Sequence, residues 1–366
     1  MRFTISQSSL AGALAVVGKG IASSSTLPIL SGVYMRADNG TIEFQTANLT
    51  VSIRYRAAAN VEEPGETVVS GRILTNIVKN LPDAAVTFEG SGRMVDISCG
   101  PSSFHLNALN PADFPDFPEV SLETSVELPR EVLQKMVDKV YRVTSRDTSR
   151  PILSGVFMTV SDNTIRLVAT DSYRLAVCDT NVETSSLQGT FEMIVLGSTF
   201  HDVLSLPSDD ERILISATES QVVFQFGNVT YVSRRIEGNY PNYRQLLPNE
   251  HLTSVVLDVD TLASALKRVS VVAVTNPTVR LDVDAESNAI TISSVSSDQG
   301  DASETIDAEV TGETLTIAFN YHYVLDCLSA VGGGQVSLEL QSATQPGIFK
   351  SYGTISYLYL LMPVNI

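Results

Sequence analysis

Apolar residues recur at positions i, i+4 and i+7 in three places: Leu10, Leu14 and Val17; Leu133, Val137 and Val140; and Leu262, Leu266 and Val269. That spacing lines one face of a helix. Each helix follows a short extended start whose apolar residue, Phe3, Val126 or Val255, stands seven positions before the first leucine. A second helical segment is expected over 71–81, 198–206 and 320–331; Pro82 and Pro207 stop the first two and a glycine run stops the third. Between the helices, Val, Ile, Thr, Phe and Tyr alternate with polar residues, bounded by turns such as Asp38-Asn39-Gly40, Gly90-Ser91-Gly92 and Asp162-Asn163. These runs read as antiparallel strands and hairpins. The pattern predicts an α+β fold with helices on one face of each sheet.

The pattern also repeats. The chain has 366 residues, three times 122, and the hexapeptide PILSGV occurs at 28–33 and again at 151–156. Downstream of each copy stands an aromatic-Pro-Asx-aromatic anchor, Phe114 to Phe117 and Tyr240 to Tyr243. Two anchors in nearly constant register indicate duplication, and the helix pattern supplies a third copy. Acidic, proline-containing stretches at 118–124 and 248–253 mark the boundaries. Three similar domains are therefore expected, over 1–121, 122–251 and 252–366, with linkers short enough to pack them in a fixed arrangement.

Charge sharpens this picture. The chain carries −17 overall, which argues against a protein whose whole surface coats nucleic acid or anionic membrane. The six helical segments nevertheless sum to +4, which leaves −21 for everything else. They hold five of the six lysines, Lys19, Lys79, Lys135, Lys139 and Lys267, together with Arg72, Arg130, Arg142, Arg146 and Arg268; only Lys350 lies elsewhere. Lys and Arg are good helix formers on any solvated face. Here, though, every sheet is expected to have weakly basic helices on one side and acidic strands and loops around them. Such a face would touch phosphates loosely, without sequence information, and permit sliding.

Catalytic chemistry finds little support. His105, His201, His251 and His322 show no metal-ligand spacing, and no nucleophile elbow or Walker loop is present. Gly332 to Gly334 follows a helix, so it reads as a cap and turn and not as a phosphate loop. Asp209-Asp210-Glu211 reads as a solvated turn, and Thr170 and Asp171 have no nameable acid or base partner. Cys99, Cys178 and Cys327 are too scattered for a disulfide framework or a CxxC site, which suggests a reducing compartment. Arg2 followed by Leu10 to Val17 faintly imitates a secretory signal, but the same pattern recurs twice inside the chain. No run approaches the ~18 apolar residues of a membrane span. No cofactor, metal or membrane partner is implied; the remaining rival is an acidic β-rich protein-binding scaffold that never meets DNA.

Seven stretches carry a family likeness: the start MRFTI, TLPILSGV, NPADFPDF, VATDSYRLAV from Val168, GNYPNYRQLLP from Gly238, FNYHYVLDCL from Phe319, and the end YLLMPVNI. Together they resemble the β sliding clamps, the β subunits of bacterial DNA polymerase III, over the whole chain. The resemblance implies a DNA-clamp fold: three domains with sheets outside and two helices each facing a central channel, closed as a ring-shaped homodimer. It further implies a cytoplasmic, nucleoid-associated, non-catalytic processivity factor for DNA replication. Its partners would be duplex DNA, held topologically, and DNA polymerase subunits, the clamp loader and repair proteins that carry short peptide motifs.

The same resemblance assigns residues. The head-to-tail dimer contact would use Phe104 and Leu106 from the first domain and Val271 and Val272 from the third. Pro101 and Ser103 stand where basic residues are frequent, so apolar burial would carry more of this contact. A peptide groove would be lined by Leu153, Thr170, Leu175, Pro241, Leu246, Met362, Pro363 and Val364, with Ser172, Tyr173, Arg174, Asn320, Tyr323 and Pro346 around them. Read without the family, each of these residue types is more often an ordinary core or turn residue than a ligand contact. Tyr173 replaces a common His and Gln245 a common basic residue, which would weaken a preference for acidic peptides. The channel would present Lys19, Arg72, Lys79, Lys135, Lys139, Arg142, Arg146, Arg150 and Lys267, with the loop Ser23 to Thr26 beside them.

Overall fold

The structure, a computed structural model, describes all residues except 23–26, 123, 183–188, 249 and 366. The loop expected to face the channel, Ser23 to Thr26, lies outside the described residues. The chain forms two compact units. One is built mainly from Met1–Glu131 and Asp202–Arg235, the other from Val132–Glu183, Gln188–His201 and Ile236–Ile366.

Six α-helices occur among the described residues, α1 (Gln7–Val17), α2 (Gly71–Asn80), α3 (Arg130–Val140), α4 (Gly197–Leu204), α5 (Val259–Val269) and α6 (Tyr321–Val331). All six fall on the segments where the sequence predicts helix, α1, α3 and α5 by periodicity and α2, α4 and α6 by the recurring second segment. The leucines and valines of the i, i+4, i+7 faces are all buried. Side chains at the entries satisfy the first free amides: Ser6 Oγ accepts from Ser9 N and Asp258 Oδ1 from Thr261 N. At the exit of α6, Gly332 takes a left-handed φ of 86° and its amide bonds Leu328 O, a glycine C-cap.

All strand pairs are antiparallel. In the first unit a five-stranded sheet runs in the order Asn60–Glu63, Arg2–Ser6, Ala85–Ser91, Met94–Cys99, Ser102–Asn107. Beside it is an eight-stranded sheet. Its first four strands, Ser125–Pro129, Arg212–Ala217, Gln221–Phe226 and Val229–Arg234, come from the second repeat; Val51–Ala58, Thr41–Ala47, Gly32–Asp38 and Gly65–Ser70 come from the first. The second unit has a nine-stranded sheet joined in the same way. Arg174–Asn181 of the second repeat pairs with Ser356–Leu361 of the third, Leu175 opposite Leu360. Its four-stranded sheet runs Gly300–Asp307, Ala289–Ser296, Thr278–Asp284, Leu315–Asn320. The repeats therefore share sheets across their boundaries, and each compact unit takes part of the middle repeat.

The duplicated hexapeptide has a packing reason. Leu30 and Leu153 are buried, and Ser31 and Ser154 each donate to the carbonyl of the proline three residues earlier, Pro28 and Pro151, at 2.7 and 2.6 Å. A Cβ on Gly32 would lie 2.5 Å from Val68 and one on Gly155 would lie 2.4 Å from Ile194. Only glycine lets these strands approach their neighbours so closely.

Candidate functional site

The candidate peptide site is assembled in the second unit from one turn, two strand ends and one helix start. The turn from Thr170 to Arg174 is held by its own side chains. Thr170 Oγ1 donates to Arg174 O at 2.7 Å, and Asp171 Oδ1 accepts from the amides of Tyr173 and Arg174 at 3.0 and 3.1 Å. Ser172 sits at φ 81°, a left-handed turn position. Tyr173 O then accepts from Met362 N at 2.9 Å, and Val364 N donates to Ala318 O at 2.9 Å, so the C-terminal segment is fixed beside the turn.

Beneath that turn, Leu175, Val168, Val177, Tyr243 and Leu360 form a buried apolar cluster, with Leu247, Leu358, Tyr240 and Phe157 against it. Tyr240 stacks on Phe157 at 5.1 Å. Around the site, Tyr173 is 62% exposed, Leu246 55% and Met362 43%, far more than apolar side chains in a closed core. Pro241, Ser172 and Gln245 are exposed too, and Pro363, Val364, Tyr323, Asn320 and Pro346 are half-buried.

Leu153, Thr170, Arg174 and Leu175 are instead buried, so they act from below the surface. Arg174 is a structural clamp. Its guanidinium pairs with Asp171 at 3.0 Å and Asp326 at 2.6 Å, donates to Tyr359 OH and Arg142 O at 3.2 and 3.0 Å, and lies 4.2 Å over the Tyr323 ring. Burial opposes its charge, but Tyr359, Asp326 and Asp171 outweigh burial and hold it above the ordinary arginine value. All three nitrogens of its planar fork therefore donate inside the protein.

Tyr243 and Leu247 also line a cavity of 460 Å³ bordered by Arg166, Asp179, Arg244, Lys350 and Tyr352. Sequence reasoning did not single it out. The one available signal was Lys350, the sole lysine outside the helices.

The expected channel cations differ in their availability. In the first unit Arg72 and Lys79 are exposed at the two ends of α2, and Lys19 pairs with Asp202 at 3.3 Å. In the second unit Lys135, Arg142, Arg146 and Lys267 are exposed, and Arg150 bonds Asp147 at 3.0 Å and Ser172 Oγ at 2.9 Å. Lys139 is set apart: its ammonium donates to Ala330 O, lies 5.5 Å from the Tyr357 ring centre, and is pushed below the ordinary lysine value by burial. Two further helix cations are structural. Arg130 is buried and donates to the carbonyls of Leu204, Leu206 and Ser208, and Arg268 pairs with Glu304.

The candidate dimer residues lie at sheet and helix ends. Among the described residues Ser102–Asn107 is the last strand of its sheet and pairs only with Met94–Cys99, and Phe104 and Leu106 are half-buried on it. Val271 is 72% exposed, and Val272 half-buried, in the turn after α5.

Among the described residues no group of three or more His, Cys, Asp or Glu is placed to hold a metal, and no helix is long and apolar enough to cross a membrane. The three cysteines are free and buried, and burial pushes the Cys178 and Cys327 thiols up.

Comparison with known proteins matches this architecture. The chain matches the N-terminal, central and C-terminal domains of the DNA polymerase III beta subunit over residues 1–118, 127–242 and 244–365. A beta sliding clamp of Synechococcus elongatus is 30% identical, with both chains covered completely. The crystal structure of the Bacillus subtilis DNA polymerase sliding clamp superposes with a TM-score of 0.94 at 28% identity, covering 100% of this chain and 99% of that one. A Pseudomonas aeruginosa sliding clamp bound to griselimycin gives 0.93 at 26%, with full coverage of both. Three repeats of paired sheets and helices thus define a DNA sliding-clamp fold. The chain belongs to the DNA polymerase III beta subunit family, whose part in replication is that of a non-catalytic clamp.

Proposed function

We propose that two copies of this chain close head-to-tail into a ring around duplex DNA and tether the replicative polymerase, the loader and repair proteins, in the cytoplasm beside the nucleoid. The three domains are 1–121, 122–251 and 252–366. The observation that carries the ring is the unfinished pairing of the sheets. Twice within the chain, one repeat's strand joins the next repeat's strand: Val51–Ala58 with Val229–Arg234, and Arg174–Asn181 with Ser356–Leu361. The third such pair of edges, Gly300–Asp307 and Ser102–Asn107, remains open among the described residues. A second copy supplies both missing partners and repeats at the subunit boundary the strand pairing seen twice within the chain. Phe104 and Leu106, with Val271 and Val272, supply the apolar burial of the contact.

The exposed channel cations, Arg72 and Lys79 in the first unit and Lys135, Arg142, Arg146 and Lys267 in the second, attract phosphates without reading bases, while the −21 carried outside the helical segments repels DNA elsewhere. Partner peptides occupy the site around Tyr173, Leu246 and Met362, over the Leu175–Leu360 pair.

The groove is tested by Met362→Ala. Losing burial of this side chain removes roughly 1–1.5 kcal/mol, so a polymerase-tail peptide is expected to bind about tenfold more weakly by fluorescence anisotropy. The solution mass should stay at twice 39.4 kDa. Unchanged peptide affinity contradicts the groove; a wild-type chain that sediments at 39.4 kDa contradicts the ring.

A further inference from the structure

The two sheet junctions inside the chain fix the register of the third. After the turns at Asn39-Gly40, Asp162-Asn163 and Asn288, the first fully buried residues are Ile42, Ile165 and Ile290. Five residues later, Ala47, Thr170 and Val295 stand opposite Ser52, Leu175 and Asp301 on the returning strand. Ile53, Ala176 and Ala302 are therefore equivalent.

On the other side of each junction, Leu109 N donates to Val68 O, Ile236 N to Ile194 O and Val364 N to Ala318 O. Each acceptor lies three residues before the first residue of α2, α4 or α6. Five residues before the donors stand Phe104, Tyr231 and Tyr359, which are therefore equivalent as well. Within the chain Tyr231 pairs with Ile53 and Tyr359 with Ala176.

We propose that in the closed ring Phe104 pairs with the partner's Ala302, which sets His105 between Asp96 and the partner's Asp301. This rests on the ring reading above and adds a polar contact beside its apolar burial. The faces agree. Phe104 and Ala302 are half-buried, as the inner face requires, while His105 and Asp301 are exposed on the outer face. His105 already meets Asp96, its neighbour on the adjacent strand, at 2.5 Å. The same register places Ser103 opposite the partner's Ser303 and Ser102 opposite the partner's Glu304, whose carboxylate is held by Arg268. It also separates the junctions by chemistry. The pair equivalent to His105 and Asp301 in the nine-stranded sheet is Leu360 and Leu175, the apolar floor of the peptide site. A polar pair at the subunit junction gives no such floor.

Cysteine pairs test the register, because the three native cysteines are buried. Directly opposed residues have Cα atoms about 4.5–5.5 Å apart, within disulfide reach, whereas diagonal neighbours at about 7–8 Å are not. The chain carrying Ser103→Cys and Ser303→Cys is expected to form covalent dimers on mild oxidation, and the chain carrying Ser103→Cys and Asp301→Cys is not. A dimer that cross-links only through the second pair, or through neither, overturns the register; a monomer overturns the ring reading instead. His105→Glu lines up three carboxylates and should weaken the dimer by about tenfold over its two interfaces. Adding Asp301→Lys should restore it, and a dimer that Asp301→Lys does not restore overturns the placement of His105.

Discussion

Phe104→Asp is expected to convert the dimer to folded monomers at micromolar concentration, raising the dimer Kd by at least about 1,000-fold. Burial and symmetry set the size of this effect. Phe104 sits on an open strand, half-buried, its ring on the inner face where the equivalent residues Tyr231 and Tyr359 are buried by a neighbouring strand. Completing that burial is worth about 1–2 kcal/mol, and a carboxylate in its place must be desolvated as well, so each interface loses roughly 2 kcal/mol or more. A ring of two subunits has two identical interfaces, and about 4 kcal/mol corresponds to 1,000-fold. Sedimentation equilibrium measures the shift, with circular dichroism to show that the fold is kept. A Kd within threefold of wild type contradicts the assignment of this strand to the interface.

Arg174→Ala is expected to destabilise the second unit by about 3–5 kcal/mol and to abolish tail-peptide binding. Removing one partner of a buried ion pair leaves the other charges uncompensated. Here Asp171 loses its 3.0 Å partner, Asp326 its 2.6 Å partner and Arg142 O its donor. Asp171 also caps the turn that presents Tyr173, so the peptide site loses its frame together with its support. Urea unfolding with isothermal titration of the peptide checks both parts. Arg174→Lys should recover little, because one ammonium cannot replace a planar fork serving four acceptors. Undiminished stability in Arg174→Ala contradicts the clamp described for this residue.

Much of the fold was legible because helix faces and strand alternation are local signals. Apolar residues at i, i+4 and i+7, twice Leu-Leu-Val and once Leu-Val-Val, placed α1, α3 and α5, and the repeated PILSGV marked a duplication whose glycine meets Val68 in one copy and Ile194 in the other. Which strand lies beside which was not legible. Nothing local to Val51–Ala58 says that its neighbour is Val229–Arg234, more than 170 residues away, so the sharing of sheets between repeats had to come from the structure.

The candidate sites show the same division. Tyr173, Leu246 and Met362 could be placed by family likeness and are all exposed, Tyr173 and Met362 joined by a backbone hydrogen bond and Leu246 in the turn that carries Tyr243. Arg174 and Thr170 lie in the same motif yet face inward, because a motif records which residues recur and not which way they point. Lys139 and Arg130 look like any basic helix residue in sequence. Their side chains reach backbone carbonyls at Ala330 and Leu204, partners that only tertiary folding brings near.

The hold on DNA proposed above is topological. Protein placed by the ATP-dependent loader on closed circular duplex should remain bound through a wash at about 1 M salt, where loose phosphate contacts are screened within roughly 3 Å. Cutting the circle once should then release it, because a ring slides off a free end. Release by salt alone, with no effect of linearisation, would contradict the claim.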